Sequence, residues 1–133
     1  MAYLISYVAV LIVFGIIDAG WLNTMGKLLY RPALGDILLD DLRIAPTIIF
    51  YLAYPIGVVV FAVTPGLRAG SLLFAFLSAL LFGALAYGTY DLTNYATLRR
   101  WTLQITAIDI CYGAAASGIA AIVAMLAARA FAA

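Results

Sequence analysis

Residues 70–90 read GSLLFAFLSALLFGALAYGTY, and the residue that follows is Asp91. A run of this length and greasiness crosses a hydrocarbon core about 30 Å thick, which takes about 20 apolar residues in a helix. Leu, Phe and Ala follow one another here without alternating with polar residues, unlike the roughly ten-residue alternating strands of a membrane barrel. Three further stretches share this character: Tyr3–Leu22, Ile44–Val63 and Ile105–Ala128. Composition agrees, since 68% of residues are hydrophobic and only 10% charged. The expected fold is an all-α membrane protein, a four-helix transmembrane up-down bundle. It forms one domain over residues 1–133, with helices at about residues 3–22, 44–63, 70–92 and 103–129.

Several classes fall away on composition. A net charge of +1 with no basic run gives no nucleic-acid signal. The chain has no histidine and a single cysteine, Cys111, so no metal site and no cofactor-binding residue is expected. Cys111 falls in the fourth helix and is read as a small packed residue. The first stretch lacks a basic start and carries Asp18 and Trp21 where a leader peptide would have small residues, so it is read as a permanent helix. Pro65 and Gly66 are expected to break the chain between helices two and three, and Asn94–Thr102 to join three to four.

Lys27, Arg31, Arg43, Arg99 and Arg100 fall in the first and third connections, against Arg68 and Arg129 at the other end. The positive-inside rule then places connections one and three in the cytoplasm and the termini on the periplasmic side of a bacterial inner membrane. Between Arg31 and Arg43, Leu34, Ile37, Leu38 and Leu42 mix with Asp36, Asp40 and Asp41. Such spacing suits either a short interfacial helix between helices 1 and 2 or a solvated loop.

Three aspartates, Asp18, Asp91 and Asp109, lie inside or at the margins of these apolar runs. Each costs roughly 2.5 to 3.5 kcal/mol at a helix centre and less near an end, so a buried polar site is the default reading. In an up-down bundle all three reach the cytoplasmic end. Tyr87, Asp91 and Asn94 recur at helical spacing, as do Thr102, Thr106 and Asp109, and Thr47, Tyr51 and Tyr54. These stripes should meet in a polar pocket there, while Val58, Val59, Val60, Phe61, Leu72, Leu73, Phe74 and Phe76 keep the other half dry. Gly113, Ala116 and Ala120 mark a close-packing face. The candidate binding or polar-core residues are Asp18, Trp21, Tyr51, Tyr54, Tyr87, Asp91, Asn94, Thr97, Trp101 and Asp109. An intramembrane Asp can also serve packing alone by bonding Tyr, Thr, Asn or Trp, and Asp91 could pair with Arg99 or Arg100, Asp18 with Lys27. Trp21, Tyr30, Tyr95 and Trp101 fall where an aromatic belt is expected, so the interfacial-anchor reading is the first one for them.

The string Tyr90-Asp91-Leu92-Thr93-Asn94-Tyr95-Ala96-Thr97-Leu98, followed by Trp101, resembles the signature of a bacterial domain-of-unknown-function family of small predicted four-helix membrane proteins. Asp18-Ala19-Gly20-Trp21 looks like its Asp-x-x-Trp element, Phe50-Tyr51-Leu52-Ala53-Tyr54 like its aromatic second-helix start, and Asp109-Ile110-Cys111-Tyr112-Gly113 like its Asp-x-x-Trp-Gly element. Tyr112 stands where that family tends to have Trp, and Thr102 where it tends to have Pro. The resemblance implies a membrane bundle and supplies no activity.

Three functions compete. One is binding or transport of a small molecule or lipid in the polar pocket, with transport carrying the expectation of a homodimer. Another is an accessory subunit or assembly factor of a larger membrane complex. The third, a membrane-embedded lipid or isoprenoid enzyme with a buried Asp as general acid or base, is not favoured, because no nucleophile–base pair or phosphate-cradling loop is present.

Overall fold

The computed structural model describes residues 1–39 and 43–132. Four helices long and apolar enough to span a membrane run antiparallel to their chain neighbours: α1 Ala2–Leu34, α2 Ile44–Ala69, α3 Leu72–Thr97 and α4 Leu103–Phe131. Each packs on its neighbours in sequence, and α1 closes the bundle against α4. This is the expected all-α four-helix membrane bundle.

Helix ends carry their own signals. Ser71 accepts a hydrogen bond from the Phe74 amide at 3.0 Å and starts α3. Thr102 accepts from the Ile105 amide at 3.1 Å and starts α4. A side-chain cap thus stands where a proline would otherwise fix the helix start. Gly70, at φ +64, ends α2 in the left-handed conformation, and the amide of Ser71 returns to the Gly66 carbonyl at 3.0 Å.

Pro65 and Gly66 do not break the chain; they lie inside α2, and the break falls at Gly70. A wide π turn over Val59–Val63 ends just before Thr64-Pro65 and accommodates the missing amide and the ring. A second wide turn, Gly26–Tyr30, carries α1 past the expected end at Leu22 to Leu34. At 33 residues α1 is about 50 Å long, enough to cross the membrane and project beyond it. Helix α3 likewise runs through Asn94 to Thr97, leaving a connection shorter than expected. The segment weighed as an interfacial helix resolves in part: Arg31–Leu34 continues α1, residues 35–37 turn, and Asp40, Asp41 and Leu42 lie outside the described residues.

Two apolar clusters hold the bundle. The larger one joins Val10 and Phe14 of α1, Val58 and Val63 of α2, Ala75 and Ala79 of α3 and Ala116, Ala120, Ala124 and Met125 of α4. It fills the half expected to be dry. Small residues let α3 and α4 approach closely: a Cβ added at Gly83 would stand 2.6 Å from both the Gly113 carbonyl and the Ser117 hydroxyl. The smaller cluster, Leu29, Leu34, Trp101 and Ile105, ties the projecting end of α1 to the start of α4. Leu, Ile, Phe and Val side chains cover the exterior, among them Ile12, Ile49, Leu81 and Leu85.

Candidate functional site

Between the large cluster and the first and third connections, polar side chains from all four helices meet. On α1, Ser6, Val10, Phe14 and Asp18 form the buried stripe at a spacing of four, so Asp18 points inward because the whole face does. Its carboxylate accepts from Tyr51 of α2 and from Tyr112 of α4, the latter at 2.7 Å. Two phenols and one carboxylate thereby join three helices by charge-assisted bonds.

A second node lies alongside. The Tyr30 hydroxyl donates to Asp109 at 2.5 Å and accepts from the Trp21 indole N–H at 3.1 Å. Trp21 stacks on Tyr112 with ring centroids 4.1 Å apart and planes 10° from parallel. The stack therefore links the Asp18 node to the Asp109 node. Tyr87 stands edge-on to both Tyr112 and Tyr54, and the Tyr54 hydroxyl pairs with Ser117 at 2.6 Å. These aromatic rings form the floor between the polar end and the dry half.

Asp91 differs from both. It is 0% exposed, and among the described residues no N–H or hydroxyl donates to either carboxylate oxygen. Its carboxyl faces that of Asp109 across α3 and α4, with Tyr30 and Tyr90 close by. Trp101 is also buried, its ring edge-on to Tyr90 at 5.5 Å, and its indole N–H has no partner either. The ion pair present among the described residues joins Arg100 to Asp36 at 2.9 Å, with both side chains more than half exposed. Local pairing of Asp91 with Arg99 or Arg100, and of Asp18 with Lys27, is not formed.

Of the residues singled out from sequence, Asp18, Trp21, Tyr51, Tyr54, Tyr87, Asp91 and Asp109 come together. Asn94 is half-buried one turn beyond Asp91. Thr97 is exposed and bonds back to the Thr93 carbonyl, as half-buried Thr47 does to that of Arg43. Trp101 is buried, and half-buried Trp21 and Tyr30 direct their polar atoms into the network; Tyr95 stays 44% exposed. Tyr30, Tyr112 and Ser117 complete the network and were not among the candidates. Tyr112 had a usable signal, lying three residues after Asp109 on the same helix face. Tyr30 had none, since it is reached through a π turn that shifts the helical register. Cys111 is exposed on the outer face of α4, not packed inside.

The polar groups meet as a packed network, and two clefts lie beside it. One, of about 440 Å³, is lined by Trp21, Ala107, Ile108, Cys111 and Tyr112 between α1 and α4. The other, of about 350 Å³, runs between α3 and α4 past Gly88, Thr89, Leu92 and Ile110. The first is almost wholly apolar and the second mostly so. Among the described residues no group of three or more His, Cys, Asp or Glu side chains could hold a metal ion.

Residues 3–126 match the family described as predicted membrane protein (DUF2177), and the chain belongs to that family. No curated protein and no solved structure matches it.

Proposed function

We propose that this member of the DUF2177 family, an integral membrane protein, is a binding protein whose polar end takes the positively charged or hydrogen-bond-donating group of a small molecule or lipid at Asp91 and Asp109. One observation carries the reading: Asp91 is wholly buried and its carboxyl meets only another carboxyl, that of Asp109, although Asp18 and Asp109 are both served by phenols. A carboxylate kept from water without partners costs several kcal/mol. A bundle that serves two of three buried aspartates with phenols and sets the third against a carboxyl is consistent with an occupant there. Two carboxyls face to face also need a positive party between them, a proton or a cation.

Orientation follows from charge. Lys27, Arg31, Arg43, Arg99 and Arg100 gather at the polar end, and Arg68 and Arg129 at the other, which favours a cytoplasmic polar end.

Native mass spectrometry of the protein in mild detergent tests the reading, comparing wild type with Asp91→Asn. A non-protein adduct present on wild type and absent from the folded variant is the expected result. Identical spectra for the two, with no adduct, would sink it in favour of aspartates that serve packing alone.

A further inference from the structure

The Asp91 carboxyl is hydrogen-bonded to that of Asp109, and a bond between two carboxyls needs a proton, because an ionised carboxylate only accepts. Asp109 also accepts from the Tyr30 hydroxyl at 2.5 Å, whereas no N–H or hydroxyl of the described residues donates to Asp91. Donors thus gather on Asp109, which makes it the carboxylate of the pair and Asp91 the acid whose O–H it accepts. No cation of the chain stands in for that proton, since all seven Lys and Arg side chains are exposed. The titratable groups facing the pair are phenols, Tyr30 from α1 and Tyr87 and Tyr90 from α3. Asp18 of α1, Tyr51 and Tyr54 of α2 and Tyr112 of α4 lie at the neighbouring node and its aromatic floor.

The two helices joined by this bond pack unevenly. Toward the dry half they are in backbone contact, where a Cβ at Gly83 would stand 2.6 Å from the Gly113 carbonyl. Toward the polar end the seam opens: a Cβ at Gly88 would come no nearer than 3.9 Å to Ile110, and the cleft of about 350 Å³ runs past Thr89 and Leu92. Beyond Asp91, α3 buries no side chain fully, Asn94 being half-buried and the rest exposed. The carboxyl bond therefore closes the loosely packed stretch of the seam, with the edge-on contact of Tyr90 and Trp101 beyond it.

We propose that Asp91 and Asp109 form a proton-operated clasp: one shared proton keeps the α3–α4 seam shut at the polar end, and its release lets the end of α3 swing from α4 about the Gly83–Gly113 contact. Release passes the proton from the Asp91 O–H to a base in the water at the connections. Two carboxylates are left in contact, and their repulsion in a water-poor setting parts the helices. The hold is present while the pair keeps its proton and is lost as pH rises. The clasp needs no bound molecule, so it goes beyond the proposed binding and stands or falls apart from it.

Two readings on the protein in detergent, with no ligand added, test it. Infrared difference spectra between mildly acidic and alkaline buffer should show the carbonyl band of a protonated carboxylic acid lost as pH rises. That band should shift when aspartate carries heavy carbon at its carboxyl, and be missing from Asp91→Asn. Pulsed electron paramagnetic resonance between spin labels on Cys111 and on Ala96→Cys should shift to longer distance over the same pH range. Labels on Cys111 and Leu81→Cys, beside the tight stretch, should keep theirs. In Asp91→Asn the amide donates to Asp109 without a shared proton, so the first distance should stay short at every pH. Absence of the band from wild type, or its loss without any change in the first distance, overturns the proposal, and neither result needs an Asp91 variant to fold. So does an opening with pH that persists in folded Asp91→Asn.

Discussion

Asp18 and Asp91 are both buried carboxylates on helices that face lipid, and their surroundings set opposite expectations. Asp18 accepts from Tyr51 and Tyr112, so neutralising it weakens two bonds that join three helices. Asp18→Asn should therefore cost about 1–3 kcal/mol of stability. Asp91 meets only the Asp109 carboxyl, and an amide in its place can donate to that carboxyl without a shared proton, so Asp91→Asn should leave the thermal midpoint unchanged or raise it. Thermal unfolding of both variants in the same detergent separates the cases; a drop for Asp91→Asn as large as for Asp18→Asn would make Asp91 a packing group. The three aspartates were legible in the sequence because a carboxylate within an apolar run is conspicuous against its neighbours. Their phenol partners were not, since a tyrosine near a helix end reads equally as an interfacial anchor. Only the rotation of α1 and α4 about their axes decides that Tyr30 and Tyr112 turn inward.

For the helices themselves, hydropathy locates the spans but not their ends. Wide turns at Gly26–Tyr30 and Val59–Val63 extend α1 and α2 through positions that composition marks as boundaries, and a π turn has no residue signature comparable to a glycine or a cap. Close packing of α3 on α4 is more readable, through the small residues it demands. A methyl group at Gly83 would meet the Gly113 backbone and Ser117, so Gly83→Ala should destabilise by about 1–3 kcal/mol. Gly15 in the middle of α1 has open space where its Cβ would stand, and Gly15→Ala should instead be neutral or stabilise by up to about 1 kcal/mol. Midpoints that fall alike for both would show that backbone propensity, not the α3–α4 contact, governs the effect. At the start of α4, Thr102→Ala removes the side-chain cap on the Ile105 amide and should cost about 1 kcal/mol by the same assay.

The whole bundle has a polar end and a dry end, and charge should decide which faces the cytoplasm. Its class and helix order were legible because four long apolar runs joined by short connections leave antiparallel neighbours as the simple packing. Which polar groups pair at the loop end was not, because pairing depends on helix rotation and on the two register shifts. The five basic residues Lys27, Arg31, Arg43, Arg99 and Arg100 against Arg68 and Arg129 predict a cytoplasmic polar end. The check uses single cysteines in a Cys111→Ser background, at Leu98 on the polar side and at Ala69 on the other, both exposed and neither charged. A membrane-impermeant maleimide added to intact cells should label Ala69→Cys at once, and Leu98→Cys only after permeabilisation. Replacing Arg99 and Arg100 with Gln leaves Lys27, Arg31 and Arg43 against the two on the far side, so the labelling should become mixed. Labelling of Leu98→Cys in intact cells with the arginines in place would reverse the orientation. The Asp91 end would then face outside, where a group bound there would have to arrive from the outer leaflet or the external medium.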